Sequence, residues 1–243
     1  GHGAPSESAG AGNSAAAKQQ SQWAENAVAA LLEDEETKPY AARVAEFEAL
    51  CARQFDDIAR ASVWWTGEEK LAIAAVARAA MTGRAIPKTS LGEAPLEATG
   101  KVAAEASSLR KADIERWETK GMRVEAYVEL VGVVGRLAAL DTAAFGLGLD
   151  PTPLPTPVAG APLEATVPGV DYVDGWVPTA GIAFPPTAYT AVPGATELWI
   201  DVSSVLYMPL EEMGDPTFVR DEATRAQIEL VASRTSYLND CFY

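Results

Sequence analysis

Apolar side chains along much of this chain recur at steps of three and four, the spacing of an amphipathic helix. The pattern is clear in "AARVAEFEALCARQFDDIARA", residues 41–61, and recurs in residues 23–32. The predicted buried stripe of residues 41–61 includes a cysteine, which we interpret as a packed, small apolar side chain. The stripe consists of Val44, Phe47, Cys51, Phe55 and Ile58.

Another helix is predicted to begin after Thr66. Thr66, with Glu69 three residues later, forms the capping-box pattern. Residues 71–80 are almost all apolar, so this helix is predicted to be buried on most sides. Residues 84–99 contain two prolines and predict a loop, and residues 101–120 predict a charged, mainly exposed helix.

A long apolar helix is predicted over "VEAYVELVGVVGRLAALDTAAFGLGL", residues 124–149, ending near Gly146 and Gly148. The Pro-rich residues 150–169 that follow cannot continue a helix. They form either a linker or an extended arm that lies on a surface.

Two more helices are predicted, over residues 195–208 and 221–239. In the last one, apolar side chains at steps of three and four predict a face turned toward the core, with Glu229 off that face, near polar groups or a cavity. No alternating strand pattern is found, so the predicted fold class is all-α. The stripe consists of Ile228, Val231, Thr235, Leu238 and Phe242, of which Ile228, Val231 and Leu238 are predicted to face the core.

The net charge of the chain is −15. Nucleic acid and anionic membrane surfaces are therefore not expected as partners, because both would repel the chain. Residues 175–196 are uncharged and numerous enough to span a bilayer, but they contain four prolines, so no transmembrane segment is predicted. Residues 1–22 form a predicted flexible tail without the apolar core of a signal peptide.

The candidate chemistry is limited because the only histidine, His2, lies in that tail. A Ser-His-Asp or Cys-His triad, an HExxH zinc site and a His-rich metal centre all need an imidazole. No metal site and no cofactor are therefore predicted. The two cysteines, Cys51 and Cys241, do not make a disulfide framework, which favours a reducing intracellular compartment.

Two stretches resemble the alkylhydroperoxidase D and carboxymuconolactone decarboxylase family. "RAQIELVASRTSYLNDCFY", residues 225–243, is similar to the helix that leads into the family's Cys-x-x-Cys-x-x-x-His motif. "ELVGVVGRLAALDTAAFGLGL", residues 129–149, and the Pro-rich residues after it are similar to the two-repeat alkylhydroperoxidase-like proteins. The resemblance implies a helical bundle of that type, with two helical repeats and a long Pro-rich connection.

The resemblance also implies two catalytic residues. The family's proton-relay glutamate stands twelve residues before its first motif cysteine, and Glu229 stands twelve residues before Cys241. On one straight helix the two would lie ~18 Å apart, so the chain is expected to turn near Asn239 and Asp240. Cys241 would then begin a following helix, whose dipole favours a thiolate. The family's second cysteine and its histidine would fall after Tyr243.

The same twelve-residue step runs from Glu69 to Met81, which suggests a first repeat that has lost its thiol. The predicted organisation is therefore a succession of four parts. These are a flexible tail (1–22), a first helical unit that is a degenerate repeat (23–149), a Pro-rich connection (150–196) and the start of a second helical unit (197–243).

Two functions remain open from the sequence. In the first, the chain is an alkylhydroperoxidase-like oxidoreductase that reduces hydroperoxides through a cysteine thiol. It is weak or inactive alone and needs a missing segment or a partner chain to complete its site. In the second, it is a non-catalytic structural or accessory subunit of a larger assembly built on this fold. Family members are commonly oligomers, so the resemblance implies a homo-oligomer or a subunit of a hetero-oligomer.

Overall fold

The computed structural model of the chain describes residues 38–173, 175–181 and 187–241. The chain divides into two compact units, residues 1–47 and residues 48–243. The tail and the helix predicted over residues 23–32 lie outside the described residues. Those residues contain seven α-helices: α1 (Lys38–Ala59), α2 (Gly67–Met81), α3 (Glu93–Ala104), α4 (Lys111–Thr119), α5 (Val124–Gly146), α6 (Ala195–Leu206) and α7 (Arg225–Leu238).

Helices dominate, and the all-α prediction is confirmed at the level of fold class. Strand pairing in the described parts of the chain consists of a short antiparallel hairpin, β1 (Val219–Arg220) with β2 (Ala223–Thr224), and an isolated bridge between Asp171 and Thr179. Strands of this length offer no hydrophobic face of their own, so the core is built by helix packing.

The amphipathic pattern predicted for α1 is confirmed. Its five stripe residues are buried, each no more than 4% exposed. Two of them, Val44 and Phe47, belong to the first unit, and the other three belong to the second. Burial raises the pKa of the Cys51 thiol, so this cysteine stays protonated at neutral pH and packs as an apolar side chain.

The start of α2 is fixed by its capping box. The Thr66 hydroxyl accepts a hydrogen bond from the Glu69 backbone N–H at 3.2 Å, and the Glu69 carboxylate accepts one from the Thr66 N–H at 2.9 Å. Gly67 comes next, where a Cβ atom would stand 2.0 Å from the Ala59 carbonyl oxygen. The end of α1 therefore passes the start of α2 at a distance that only glycine permits.

The core of the second unit lies between α2, α3 and α5, each of which packs on the other two. The buried face of α2 and most of the surface of α5 are apolar, as the sequence predicts. Each fully buried Val, Leu or Ile contributes about 1.5–3 kcal/mol to folding. The Val, Leu and Ile side chains of these helices that are at most 1% exposed are Ile73, Val76, Leu130, Val133, Leu137 and Leu140.

The prediction for residues 84–120 is wrong in two respects. A helix begins inside the predicted loop, because Pro95 falls in the first turn of α3, where its missing N–H costs no hydrogen bond. The predicted single helix is also broken between α3 and α4. The Asp113 carboxylate accepts the Arg110 backbone N–H at 2.9 Å and the Lys101 ammonium at 2.7 Å, so it caps α4 and ties it to α3.

The first half of the Pro-rich segment is an extended arm that lies against the connection between α1 and α2. The Val158 N–H donates to the Ala59 carbonyl at 2.7 Å, and the Leu163 N–H donates to the Ser62 carbonyl at 3.0 Å. Of the two alternatives left open by the sequence, the docked arm is therefore the one found. Apolar residues farther along the segment pack with the same connection in a cluster of Val63, Val128, Val192, Trp64, Ala165, Val177, Tyr189 and Ala195.

The core face predicted for the last helix is wrong for Val231 and Leu238, which are at least 64% exposed and point away from the molecule. Ile228 is partly covered, Thr235 is exposed, and Phe242 lies outside the described residues. The partly covered side of α7 instead carries Arg225, Ile228, Glu229, Ala232 and Ser236. Periodicity identified an apolar stripe correctly but could not tell which side of the helix the rest of the chain covers.

Candidate functional site

Glu229 lies on the partly covered side of α7, where polar contacts hold its carboxylate. One of its oxygens accepts hydrogen bonds from the Tyr207 hydroxyl at 2.8 Å and from the Arg225 guanidinium at 2.7 Å. The Tyr207 hydrogen bond, followed by the Arg225 contact, lowers the pKa of Glu229 below its ordinary value. Glu229 is therefore a charged, fixed carboxylate at neutral pH, near polar groups as the sequence predicts.

Arg225 explains why the polar side of α7 turns inward. Its guanidinium donates to the backbone carbonyls of Glu212, Met213 and Asp215 at 3.0–3.2 Å as well as to Glu229. These carbonyls belong to the segment between α6 and the β1–β2 hairpin. A hydrogen-bonded charge of this kind decides which side of the helix faces the chain, because turning it outward would leave its partners unpaired.

Cys241 lies just beyond the end of α7, and its thiol is exposed. The chain does turn at Asn239 and Asp240. The Cys241 N–H donates to the Ser236 carbonyl at 3.0 Å, and the Asp240 N–H donates to the Tyr237 carbonyl at 3.4 Å. With Asp240 left-handed at φ 50°, this is a Schellman motif. Asp240 closes α7 here and does not have the extended backbone of an N-cap residue.

The structure does not bring Glu229 and Cys241 together. Glu229 is in the second turn of α7 and Cys241 follows its C-terminal cap. The nine residue steps from Glu229 to Leu238 alone span ~14 Å of helix axis. That separation is far beyond the hydrogen-bond reach that proton transfer between a carboxylate and a thiol requires.

An uncovered apolar face runs along α7, and Cys241 follows three residues after its last member, Leu238. At 100° per residue the members of this face share one side of the helix. The Arg234 guanidinium lies in the middle of this side, 5.3 Å from the centre of the Tyr237 ring. Exposed apolar faces of this kind mark interaction sites. The uncovered face consists of Leu230, Val231, Tyr237 and Leu238, each at least 64% exposed.

A buried polar network, which the sequence analysis missed, links four helices of the second unit. The Arg136 guanidinium donates to the Gln54 side-chain oxygen at 2.6 Å and to the Asp57 carboxylate at 2.9 Å. Lys70 is 1% exposed, and its ammonium donates to the Asp57 backbone carbonyl at 2.6 Å. The Gln54 amide donates to the Asp201 carboxylate at 2.8 Å, which ties α6 to α1.

Glu129 is a second buried charge on α5. It accepts hydrogen bonds from the Ser62 hydroxyl and from the Trp64 backbone N–H, the latter at 2.8 Å. Burial raises the pKa of Glu129, against the effect of these hydrogen bonds. Burial likewise lowers the pKa of Lys70, although Asp57 and Glu129 oppose that shift. Charges satisfied in this way by protein partners hold helices in place.

Among the described residues, no group of three or more His, Cys, Asp or Glu side chains could hold a metal ion. No helix in the described ranges is both long and apolar enough to cross a membrane. The chain matches none of the family models, curated proteins or solved structures with which it was compared.

Proposed function

We propose that this chain supplies the thiol of a hydroperoxide-reducing site whose remaining groups come from polypeptide outside residues 1–243. The observation that carries the proposal is the position of Cys241: an exposed thiol just past the C-terminal cap of the helix that bears the uncovered apolar face. A segment that docks on that face and continues past Leu238 would reach the thiol. The resemblance of residues 225–243 to the alkylhydroperoxidase-like motif supplies the reaction class.

The proposed reaction is a two-electron reduction of a hydroperoxide. The Cys241 thiolate attacks the distal peroxide oxygen, an S–O bond forms, and the O–O bond breaks. The alkoxide takes a proton and leaves as the alcohol, and the sulfur becomes a sulfenic acid. A second thiol from the completing polypeptide then displaces water and forms a disulfide, which a dithiol reductant returns to two thiols.

The role that the family resemblance implies for Glu229 is to relay a proton to the thiol. The contacts of Glu229 within this chain do not allow that role. Its carboxylate is held by Tyr207 and Arg225, and α7 separates it from Cys241. The chain alone is therefore weak or inactive. Docking on the uncovered face has to bring a second thiol and a proton carrier to Cys241.

The test is the consumption of an alkyl hydroperoxide with dithiothreitol as reductant. The assay is run on the isolated chain and on material purified from its native source. In each, the unmodified protein is compared with Cys241→Ser, and Cys51→Ala serves as the control for the other thiol. We expect turnover only in the native material, its loss in Cys241→Ser, and its retention in Cys51→Ala. Native material that consumes hydroperoxide equally well with Cys241→Ser would refute the proposal.

A second candidate is a non-catalytic accessory subunit of a larger assembly. The observation in its favour is that Glu229, the implied relay, serves a structural contact with Arg225 and Tyr207. This candidate predicts that native material carries a partner on the uncovered face and has no hydroperoxide turnover. Mutation of Cys241 to Ser would then leave the assembly intact.

A further inference from the structure

A shallow cleft beside α4 combines two exposed aromatic rings with carboxylates. It is lined by Lys111, Ile114, Glu115 and Glu118 from α4 and by Tyr172 and Trp176 from the Pro-rich segment. Tyr172 is 50% exposed and Trp176 is 46% exposed. Large aromatic side chains left half in water on an otherwise well-packed surface are a feature of binding sites.

The Tyr172 ring stands next to a fixed backbone pairing. The backbones of Asp171 and Thr179 pair through hydrogen bonds of 3.1 and 2.9 Å. Thr179 is itself buried. The Asp171 carboxylate also accepts the Tyr172 N–H at 2.7 Å. Tyr172 is thus held at the base of its loop, so little ordering is needed when a ligand binds.

Two carboxylates, Glu115 and Glu118, line the cleft with one cation, Lys111, which favours a negative local potential. A neighbouring depression, lined by residues 121–125, shares Glu118 with the cleft. Burial, followed by the charges of Glu118 and Glu125, raises the pKa of the Tyr172 hydroxyl. Local cations offset part of this potential, since Lys111 lies 3.6 Å from Glu115 and Arg123 lies 3.4 Å from Glu125.

We propose that this cleft binds a cationic side chain, Arg or Lys, on an extended segment of a partner protein. The faces of Tyr and Trp attract cations, and Glu118 adds a carboxylate beside them. The net charge of −15 attracts a basic segment at long range and repels an acidic one. The partner is a polypeptide because a site this open cannot enclose a small ligand, which normally buries most of its surface.

Val173, which is 48% exposed, lies on the same loop and offers an apolar contact for residues flanking the cation. The cleft does not involve α7, Glu229 or Cys241. The inference therefore goes beyond the proposed function and does not rest on it. Failure of hydroperoxide reduction would leave it standing.

The test is isothermal titration of the full chain with two capped peptides, one alternating glycine and arginine and the other alternating glycine and glutamate. The arginine peptide binds, more weakly as salt is raised, and the glutamate peptide does not. Trp176→Leu weakens binding about two- to fivefold, the size of an exposed cation–π contact. Trp176→Phe, which keeps an aromatic face, retains most of the affinity.

Glu118→Gln is compared with Glu105→Gln, which changes the net charge equally at an exposed position outside the cleft. Binding falls at least about threefold in Glu118→Gln, from the loss of a local charge contact, and is unchanged in Glu105→Gln. Equal weakening by the two substitutions would show that the peptide is attracted only by the net charge of the chain, and it would overturn the proposal. If tetramethylammonium binds at least as tightly as the arginine peptide, the proposal that the partner is a polypeptide is overturned. Circular dichroism checks that each variant is folded. If Trp176→Leu does not fold, the comparison of Glu118→Gln with Glu105→Gln decides the test.

Discussion

At the scale of single residues, Arg136 is a buried cation that ties α5 to α1 inside the second unit. Its guanidinium lies between α5 and α1 and donates to Gln54, to Asp57 and to the backbone carbonyl of Gly132. A buried cation that is fully hydrogen-bonded adds little net stability over an apolar core, but removal of one partner leaves the others unpaired in a low dielectric.

Replacing Arg136 by Met is therefore expected to lower the free energy of unfolding by about 1–3 kcal/mol, because the buried Gln54 oxygen loses its donor and Asp57 keeps only its contact with Lys70. Urea denaturation measures the change. The matched control is Arg60→Met, which removes an exposed i,i+4 ion pair with Asp56 and should leave the unfolding midpoint unchanged. Equal effects of the two substitutions would contradict the structural role assigned to the network.

At the scale of elements, the crossing of α1 and α2 depends on Gly67. Gly67→Ala is expected to destabilise the fold by several kcal/mol, because its Cβ would stand 2.0 Å from the Ala59 carbonyl oxygen and the backbone would have to move. Gly100→Ala is the control: it lies inside α3 with nothing within 4 Å of the added Cβ. That change should stabilise by about 0.5–1 kcal/mol. Thermal unfolding of the two variants checks that Gly67→Ala lowers the stability and that Gly100→Ala raises it.

The junction of α3 and α4 makes stability depend on pH. Hydrogen bonds from Lys101, then from Arg116 and the Arg110 N–H, lower the pKa of Asp113 to about 2. Since this pKa is below that of the unfolded chain, the stabilisation is present above about pH 4 and is lost as pH falls toward 2. Its size is about 1–2 kcal/mol, after allowance for the partly exposed cations.

Asp113→Asn should therefore remove part of the loss of stability between pH 5 and pH 2, in addition to lowering stability at pH 7. Chemical denaturation at several pH values measures this dependence. Asp150→Asn, at an exposed position in the Pro-rich segment, serves as the control. An acid-limb slope that is the same in Asp113→Asn and in the unmodified chain would show that the carboxylate does not hold this junction.

What the sequence could predict also differs from element to element. The stripe of α1, the capping box of α2 and the extent of α5 follow from local spacing, so they were predictable. The sides of α7 were not, because the choice depends on Arg225 reaching carbonyls between α6 and the hairpin. Lys70 and Glu129 were also missed, since periodicity assigns charged residues to the surface and carries no information about distant partners.

At the scale of the whole molecule, substitutions on the uncovered face of α7 are expected to change association with a partner without changing the stability of the fold. Val231→Asp was expected from periodicity alone to bury an unpaired charge in the core. Because Val231 is 66% exposed, the unfolding midpoint should instead change little, within about 0.5 kcal/mol. The same substitution at the buried Val133 should unfold the protein. Val231→Asp should reduce co-purification of the completing polypeptide, and an unchanged complex would place that polypeptide elsewhere.

The central claim is that Cys241 is one part of a thiol site that other polypeptide completes. The most direct measurement is the rate of iodoacetamide alkylation of Cys241 at neutral pH, located by peptide mass, in the isolated chain and in native material. Buried Cys51 is the internal control and should stay unmodified in both. In the isolated chain Cys241 should react as fast as an unstructured peptide thiol. In native material a larger thiolate fraction should make it at least about tenfold faster. The slow rate in both samples, or the fast rate in the isolated chain, would contradict the account.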